Sequence, residues 1–193
     1  MRERILTAFR ESAEIKLAFV EKYLEDIARF AGEVAERLKK GGTVYLFGNG
    51  GSAADAQHIA AELIGRFSKD RPPLRAIALT TDTSVLTALG NDYGFEEIFA
   101  RQVEALVKPE DVVIGISTSG RSENVRKALL RAKEKGALTA AFLGRDGGTI
   151  KGIVDYPFVV PSYETPRIQE CHITLGHTLC ELVEKILFED LEK

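Results

Sequence analysis

The sequence is poor in the residues that mark several classes of protein. Its 193 residues include no tryptophan, two cysteines and three histidines, and 26 basic against 29 acidic residues give a net charge of −3. Because nucleic-acid-binding surfaces are usually basic with a high pI, this balance argues against nucleic acid as a partner. Small molecules or other proteins are the favoured partners.

Long apolar runs and a disulfide framework are lacking as well. No run approaches the ~20 apolar residues of a membrane span, and the N-terminal residues alternate charged with apolar side chains. Cys171 and Cys180 are nine residues apart in one predicted helix, so they point to opposite faces and no bond between them is expected. We expect a cytoplasmic protein without membrane contact, folded as a single domain over residues 1–193.

Five short runs of apolar, β-branched or aromatic residues alternate with segments of helical periodicity. The runs cover residues 43–47, 74–79, 111–117, 137–143 and 156–160. Most connections are long enough for a crossover helix, so the pattern predicts an α/β fold, a three-layer αβα sandwich around a five-stranded parallel sheet. In such sheets ligands bind outside the carboxyl ends of the strands, near the point where strand order reverses.

Helical periodicity also marks both ends of the chain. An apolar stripe runs over residues 5–28, and the last helix is predicted over residues 168–191 with an apolar surface wider than one stripe. Two interpretations stay open. Both helices cover the hydrophobic core of their own chain, or they pack between the copies of a homo-oligomer.

The first predicted strand ends in a glycine-rich turn before a helix, FGNGGSAADAQH. The turn contains Gly48, Asn49, Gly50, Gly51 and Ser52. Glycines allow the backbone to approach an anion closely, Ser52 fits a helix N-cap, and free amides at a helix start favour negative charge. The letters also match a dinucleotide fingerprint, but the acidic residue that binds ribose is misplaced and no Walker lysine follows. A phosphate site is therefore the favoured interpretation. The alternative is a turn that only directs the path of the chain.

The third predicted strand runs into a hydroxyl-rich segment, GISTSGRSEN. It offers Ser117, Thr118, Ser119 and Ser122 around Gly120. Hydroxyl groups beside a helix N-terminus suit a phosphate, although such turns also serve as simple caps. Because two such loops follow strands near the predicted reversal of strand order, we interpret both as binding elements.

Histidines and a glutamate supply the titratable groups. His58 and Glu62 are four residues apart on the helix after the glycine-rich turn, a spacing that suits a metal site, an acid–base pair or a solvated pair. Gln169 and His177 are eight residues apart on the last helix, about 12 Å along its axis. A metal shared by these two requires side chains that reach toward each other, a distorted first turn or another subunit.

Three further polar residues receive no role in the site. His172 in the last helix is interpreted as structural. Arg66 follows the helix that carries His58, and Arg167 precedes Gln169. Both arginines fit either a phosphate contact or a contact with a neighbouring subunit, and the sequence leaves this choice open.

Four segments in a fixed order resemble the phosphoheptose isomerases of the sugar isomerase (SIS) domain family. They are FGNGGSAADAQHIAAEL, GNDYGFEEIFARQVEAL, GISTSGRSENV and TPRIQE with a downstream histidine, and the likeness spans residues 45–177. The resemblance implies the SIS fold and an aldose–ketose isomerase that converts sedoheptulose 7-phosphate to D-glycero-D-manno-heptose 7-phosphate. The product would lead to nucleotide-activated heptose for surface polysaccharide such as lipopolysaccharide. The resemblance also implies homotetramers with active sites between subunits.

The same resemblance implies roles for individual residues. The implied substrate contacts are Asn49, Gly50, Gly51, Glu62, Asn91, Asp92, Ser117, Thr118, Ser119, Ser122 and Gln169. The implied ligands of one zinc ion per subunit are His58, Glu62, Gln169 and His177. Glu62 and His177 are the implied catalytic residues, since isomerisation through an enediol needs a base and a proton donor.

Two alternatives stand beside the isomerase. A non-catalytic relative would keep the fold as a binding module, as does one that associates with the bacterial replication initiator, but a pure scaffold has no need of the four implied zinc ligands. A nicotinamide-dependent oxidoreductase is the other alternative. The misplaced ribose-binding residue and the two hydroxyl-rich loops argue against it.

Overall fold

The computed structural model describes residues 1–188. Its helices are α1 (Arg2–Lys39), α2 (Gly51–Ile64), α3 (Thr83–Asp92), α4 (Ala100–Leu106), α5 (Glu123–Glu134) and α6 (Thr165–Phe188), with a 3₁₀ turn at Phe95–Glu97. Its strands are β1 (Val44–Gly48), β2 (Ala76–Ala78), β3 (Val112–Ser117), β4 (Leu138–Gly144) and β5 (Tyr156–Val160). The predicted α/β class and the five strands are confirmed.

All five strands are parallel and lie in the order β2-β1-β3-β4-β5. Strand order reverses between β1 and β3, which is where doubly wound sheets open a crevice for ligands. Gly48 at the end of β1 pairs in register with Ile116 near the end of β3. The glycine-rich turn and the hydroxyl-rich segment therefore begin side by side at this crevice.

Helices cover both faces of the sheet because its strands carry apolar side chains on both sides. Val44 and Leu46 of β1 join one core with α1, α2 and α6, whereas Tyr45 and Phe47 join a second core with α4 and α5. Gly115 of β3 lets α5 lie directly on the sheet, since a Cβ there would be 2.8 Å from the side chains of this helix. Apolar burial on both faces leaves the strand ends as the place for polar groups.

Two predicted elements differ in length from those observed. The helix predicted over residues 5–28 continues to Lys39 because Phe30, Val34 and Leu38 extend its buried stripe, and it ends before Gly41, whose φ is +88°. The strand predicted over residues 74–79 is shorter, since β2 is an edge strand that pairs only with β1.

The two terminal helices pack against each other over part of their length. Helix α1 buries one set of side chains from Phe19 to Leu38, whereas Ile5, Leu6, Phe9, Leu17 and Leu24 are exposed in the single chain. Helix α6 begins slightly before its predicted start, and its predicted end at residue 191 lies outside the described residues. No helix in the described part of the chain is long and apolar enough to cross a membrane.

Candidate active site

The glycine-rich turn joins the end of β1 to the start of α2 through backbone that only glycine adopts easily. Gly50 has a φ of +57° and takes the N-cap position, so the expected N-cap, Ser52, lies inside the helix and makes no capping bond. A Cβ at Gly48 would lie 2.7 Å from the backbone oxygen of Ile116. The exposed backbone of Gly50 and Gly51 at a helix start favours an anion.

The hydroxyl-rich segment curls over the end of β3 into α5. The hydroxyl oxygens of Ser117 and Ser122 lie 2.9 Å apart, and Gly120 has a φ of +66° with its α-carbon packed against the backbone of Gly147. Arg121 is turned away toward Asp146, which accepts two bonds from its guanidinium at 2.9 and 2.6 Å. The segment thus presents hydroxyl and backbone groups rather than a free cation.

A pair of side-chain amides connects the two loops. Asn49 donates to Asn124 at 2.9 Å, and Asn124 donates back to Asn49 at 2.8 Å. Asn124 is buried at the start of α5, and its oxygen also accepts a bond from the Val125 amide. This reciprocal pair of hydrogen bonds therefore bridges the crevice between β1 and β3 and fixes the orientation of the two loops relative to each other.

Three titratable side chains converge between α2 and α6. Nε2 of His58 lies 2.9 Å from Nε2 of His177 and 3.3 Å from Oε1 of Glu62. One ligand atom from each residue lies within 4.8 Å of the other two. Two imidazole nitrogens and one carboxylate oxygen with a position open to solvent form the donor set of many catalytic zinc sites, so these residues fit the implied metal.

Gln169 lies in the same groove between α2 and α6 but about two turns closer to the start of α2 than His58 does. Helices α2 and α6 run side by side in one direction, and the Gln169 amide nitrogen is 2.5 Å from the position of a Cβ on Gly51. Gly51 precedes His58 by two turns, or about 10 Å. In one chain Gln169 therefore lies at the glycine-rich turn rather than beside the other three implied zinc ligands.

The remaining implied substrate contacts lie at the end of α3. Asn91 and Asp92 are both exposed, and Asn91 donates to the Asp92 carboxylate at 2.8 Å. Within the described residues, the structure records no hydrogen bond from either side chain to the two loops or to the histidines. Their implied role stays a prediction that a second chain would have to complete.

The structural interpretation of His172 agrees with its position. The side chain is fully buried, and Nε2 lies 2.8 Å from the backbone oxygen of Leu143. Burial lowers the pKa of His172 to about 4, so the ring is neutral near pH 7. Arg167 bonds to the backbone oxygen of Ala8 and to Glu170, which ties α6 to α1 within the chain.

Comparison with known proteins gives the family. A family model described as the SIS domain matches residues 8–144. A phosphoheptose isomerase from Aquifex aeolicus is 67% identical over 189 residues, which cover 98% of this chain and 99% of the relative. The chain belongs to the phosphoheptose isomerase family. Another member of the family, from Geobacter metallireducens, is 56% identical over 98% of this chain and 100% of its own length.

Solved structures of phosphoheptose isomerases share the fold. GmhA from Neisseria gonorrhoeae has a TM-score of 0.89 at 44% identity, covering 95% of this chain and 98% of its own. The enzyme from Francisella tularensis has a TM-score of 0.91 at 37% identity, covering 95% and 97%. The SIS fold and the expected class of protein, an isomerase, are thereby confirmed.

One acidic side chain beside the cluster was missed in the sequence. Asp55 lies one turn before His58 on α2, and its Oδ2 is buried without a hydrogen-bond partner among the described residues. Burial raises the pKa of Asp55, although the charges of His58 and His177 oppose this shift. Its spacing of three from His58 on one helix face is the signal that predicts this proximity.

Proposed function

We propose that the chain is one SIS domain that isomerises the ketose sedoheptulose 7-phosphate to the aldose D-glycero-D-manno-heptose 7-phosphate. The observation that carries this proposal is the convergence of His58, Glu62 and His177 in the groove whose other end meets the two loops. Relatives named phosphoheptose isomerase, at 67% and 56% identity, support the same reaction.

The phosphate group binds at the loops. Hydroxyls of Ser117, Thr118, Ser119 and Ser122 and the backbone at the glycine-rich turn supply its donors. The start of α2 and the cluster are about 10 Å apart, a separation on the scale of an extended seven-carbon sugar phosphate. Phosphate binding therefore places the opposite end of the sugar, which carries the carbonyl, at the titratable groups.

The cluster moves the protons. Glu62 takes a proton from C1 of the ketose, an enediol forms, and the proton returns at C2 to give the aldose. His177 moves a proton between the oxygens on C1 and C2, because an imidazole ring can both accept and donate a proton. Each well-placed acid or base contributes roughly 10²–10⁴-fold to the rate.

Zinc is the metal that we propose for this cluster, with one ion per subunit. His58, Glu62 and His177 would hold it, and the proposed fourth ligand is Gln169 of a second subunit, since Gln169 of the same chain lies at the glycine-rich turn. When bound, the ion polarises the carbonyl and stabilises negative charge on its oxygen. Because a carboxylate bound to a metal is a weaker base, Glu62 acts as the base when its carboxylate is free of the ion.

We propose a homotetramer with active sites between subunits, because one chain leaves apolar surface uncovered and the implied substrate site incomplete. The apolar residues at the start of α1 are exposed, and among the described residues Asn91 and Asp92 make no recorded side-chain hydrogen bond to the loops. We place the enzyme in the cytoplasm, with its product feeding nucleotide-activated heptose for surface polysaccharide such as lipopolysaccharide.

Incubation of the purified chain with sedoheptulose 7-phosphate, followed by NMR for the aldose, tests this proposal. We expect product with zinc present and a loss of turnover after treatment with a chelator. No product under any metal condition would contradict the isomerase and favour the non-catalytic relative. Absence of NAD binding in a titration would exclude the oxidoreductase.

A further inference from the structure

A buried carboxylate lies two turns beyond His177 on α6 and takes no part in the proposed proton transfers. The side chain of Glu184 on α6 is 1% exposed and accepts five hydrogen bonds. The donors are the backbone amides of Phe67, Ser68 and Lys69 at 3.0, 2.9 and 2.9 Å, the Ser68 hydroxyl at 2.6 Å and Nε of Arg71 at 3.1 Å. All of them belong to residues 65–71, which follow α2 and are called the cap segment below.

Arg71 joins this carboxylate to the end of α2. Its side chain is also 1% exposed, and its guanidinium donates to the backbone oxygens of Glu62 at 2.9 Å and Leu63 at 2.7 Å. It also donates to the oxygen of Gly65 at 3.3 Å. The last carbonyls of a helix have no partner within the helix, so a cation here satisfies them and complements the negative end of the helix dipole.

The ion pair therefore fastens together the two helices that carry the cluster. Glu62 is itself one of the residues whose backbone Arg71 binds, and Glu184 follows His177 on α6 by two turns. The cap segment also brings the Phe67 ring to within 5.8 Å of the His177 ring, measured between centroids. A change in this network would shift both helices relative to each other at the level of the cluster.

Stability alone gives little reason for such a pair. Taking two charges out of water costs about as much as their attraction returns, so a buried ion pair is weak evidence for a stabilising role. Groups behind the ligands of a metal, in contrast, commonly orient them and tune the affinity of the site. The bond from Arg71 to the backbone oxygen of Glu62, with Glu184 fixing Arg71, fits this second role.

We propose that Arg71 and Glu184 are positioning residues that hold His58, Glu62 and His177 in the geometry that binds a divalent metal. This inference rests on the zinc site of the proposed function. It adds that the affinity of that site depends on a buried ion pair that touches neither metal nor substrate.

Zinc affinity of the Glu184→Gln variant, measured by competition with a chromophoric chelator, tests the inference. The amide keeps the shape of the side chain but loses the charge and part of the acceptor capacity. We expect zinc binding to weaken about 10–100-fold, as for other changes behind metal ligands. In the cobalt-loaded protein we expect a shifted visible absorption spectrum, because that spectrum reports ligand geometry.

Asp111→Asn is the matched control. Asp111 is a second buried carboxylate, and it accepts bonds from the amides of Thr43 and Lys108, both at 2.7 Å. Its loss should lower the thermal unfolding midpoint but leave zinc affinity within about twofold of the unchanged protein. Ser68→Ala, which removes only the 2.6 Å hydroxyl bond, should weaken zinc binding a few-fold and carries the test if Glu184→Gln fails to fold.

The outcomes separate this inference from the proposed function. If the unchanged protein binds no zinc, the metal site of the proposed function is wrong. If it binds zinc and the variants of Glu184 and Ser68 that fold bind it equally well, the positioning role is wrong. An equal loss of affinity in Asp111→Asn would also overturn the inference, since it would trace the effect to general destabilisation.

Discussion

The two loops at the crevice and the cluster between α2 and α6 are built from different kinds of group. The loops offer hydroxyls and backbone atoms, and the nearby Arg121 is bound to Asp146. The cluster consists of three titratable side chains, with His58 lying 2.9 Å from His177 and 3.3 Å from Glu62. Hydroxyls and backbone groups do not titrate near neutral pH and suit phosphate binding that is independent of pH, whereas titratable groups suit proton transfer. The difference assigns substrate binding to the loops and proton transfer to the cluster.

Glu62→Gln should give the largest effect, because it removes the base and leaves the loops intact. We expect kcat to fall by roughly 10²–10⁴-fold. Substrate affinity should change much less than kcat, since the phosphate contacts are unaltered. Steady-state kinetics with zinc content measured on the same samples checks this. Near-normal activity with the metal retained would remove Glu62 as the base.

Ser122→Ala should give the converse pattern at the other region. The variant loses one phosphate donor and the 2.9 Å contact with Ser117, so we expect KM to rise about tenfold, the equivalent of one hydrogen bond of 1–1.5 kcal/mol. The value of kcat should stay within about threefold. Thr7→Ala is the control, since among the described residues that hydroxyl bonds to the Glu3 oxygen within α1. A fall in kcat without a change in KM would contradict the division between the regions.

His172 should affect stability and leave the pH profile of turnover unchanged. Burial holds its pKa near 4 in the folded chain, against an ordinary value of 6.5, so the unfolded chain takes up the proton first. Stability should therefore fall as the pH drops from about 6.5 to about 4. Urea unfolding of His172→Gln at several pH values checks this, because the variant should show a weaker dependence over that range. An unchanged dependence would show that His172 is not its source.

Much of the fold and part of the site could be predicted from local patterns. Buried parallel strands read as short apolar runs, and the spacing of His58 and Glu62 shows one helix face without any tertiary information. The tertiary partners could not be predicted in this way. Asn49 pairs with a residue 75 positions away, and Arg71 pairs with Glu184 across 113 positions. The periodicity of apolar residues along the chain does not predict contacts that depend on how whole helices pack.

The extent of α1 shows a second limit of local patterns. A stripe of apolar residues does not distinguish burial in the same chain from burial against another copy. Phe30 is buried against the sheet, whereas Phe9 on the same helix is 77% exposed in the single chain. Only the packed structure separates these two environments.

The location of zinc in crystals, found by anomalous diffraction at the zinc edge, tests most directly that the cluster is a metal centre. We predict one strong peak per chain within about 2.0–2.2 Å of a ring nitrogen of His58, a ring nitrogen of His177 and a carboxylate oxygen of Glu62. A peak at other residues, or no peak in crystals grown with excess zinc, would contradict the assignment of metal-assisted chemistry to this region.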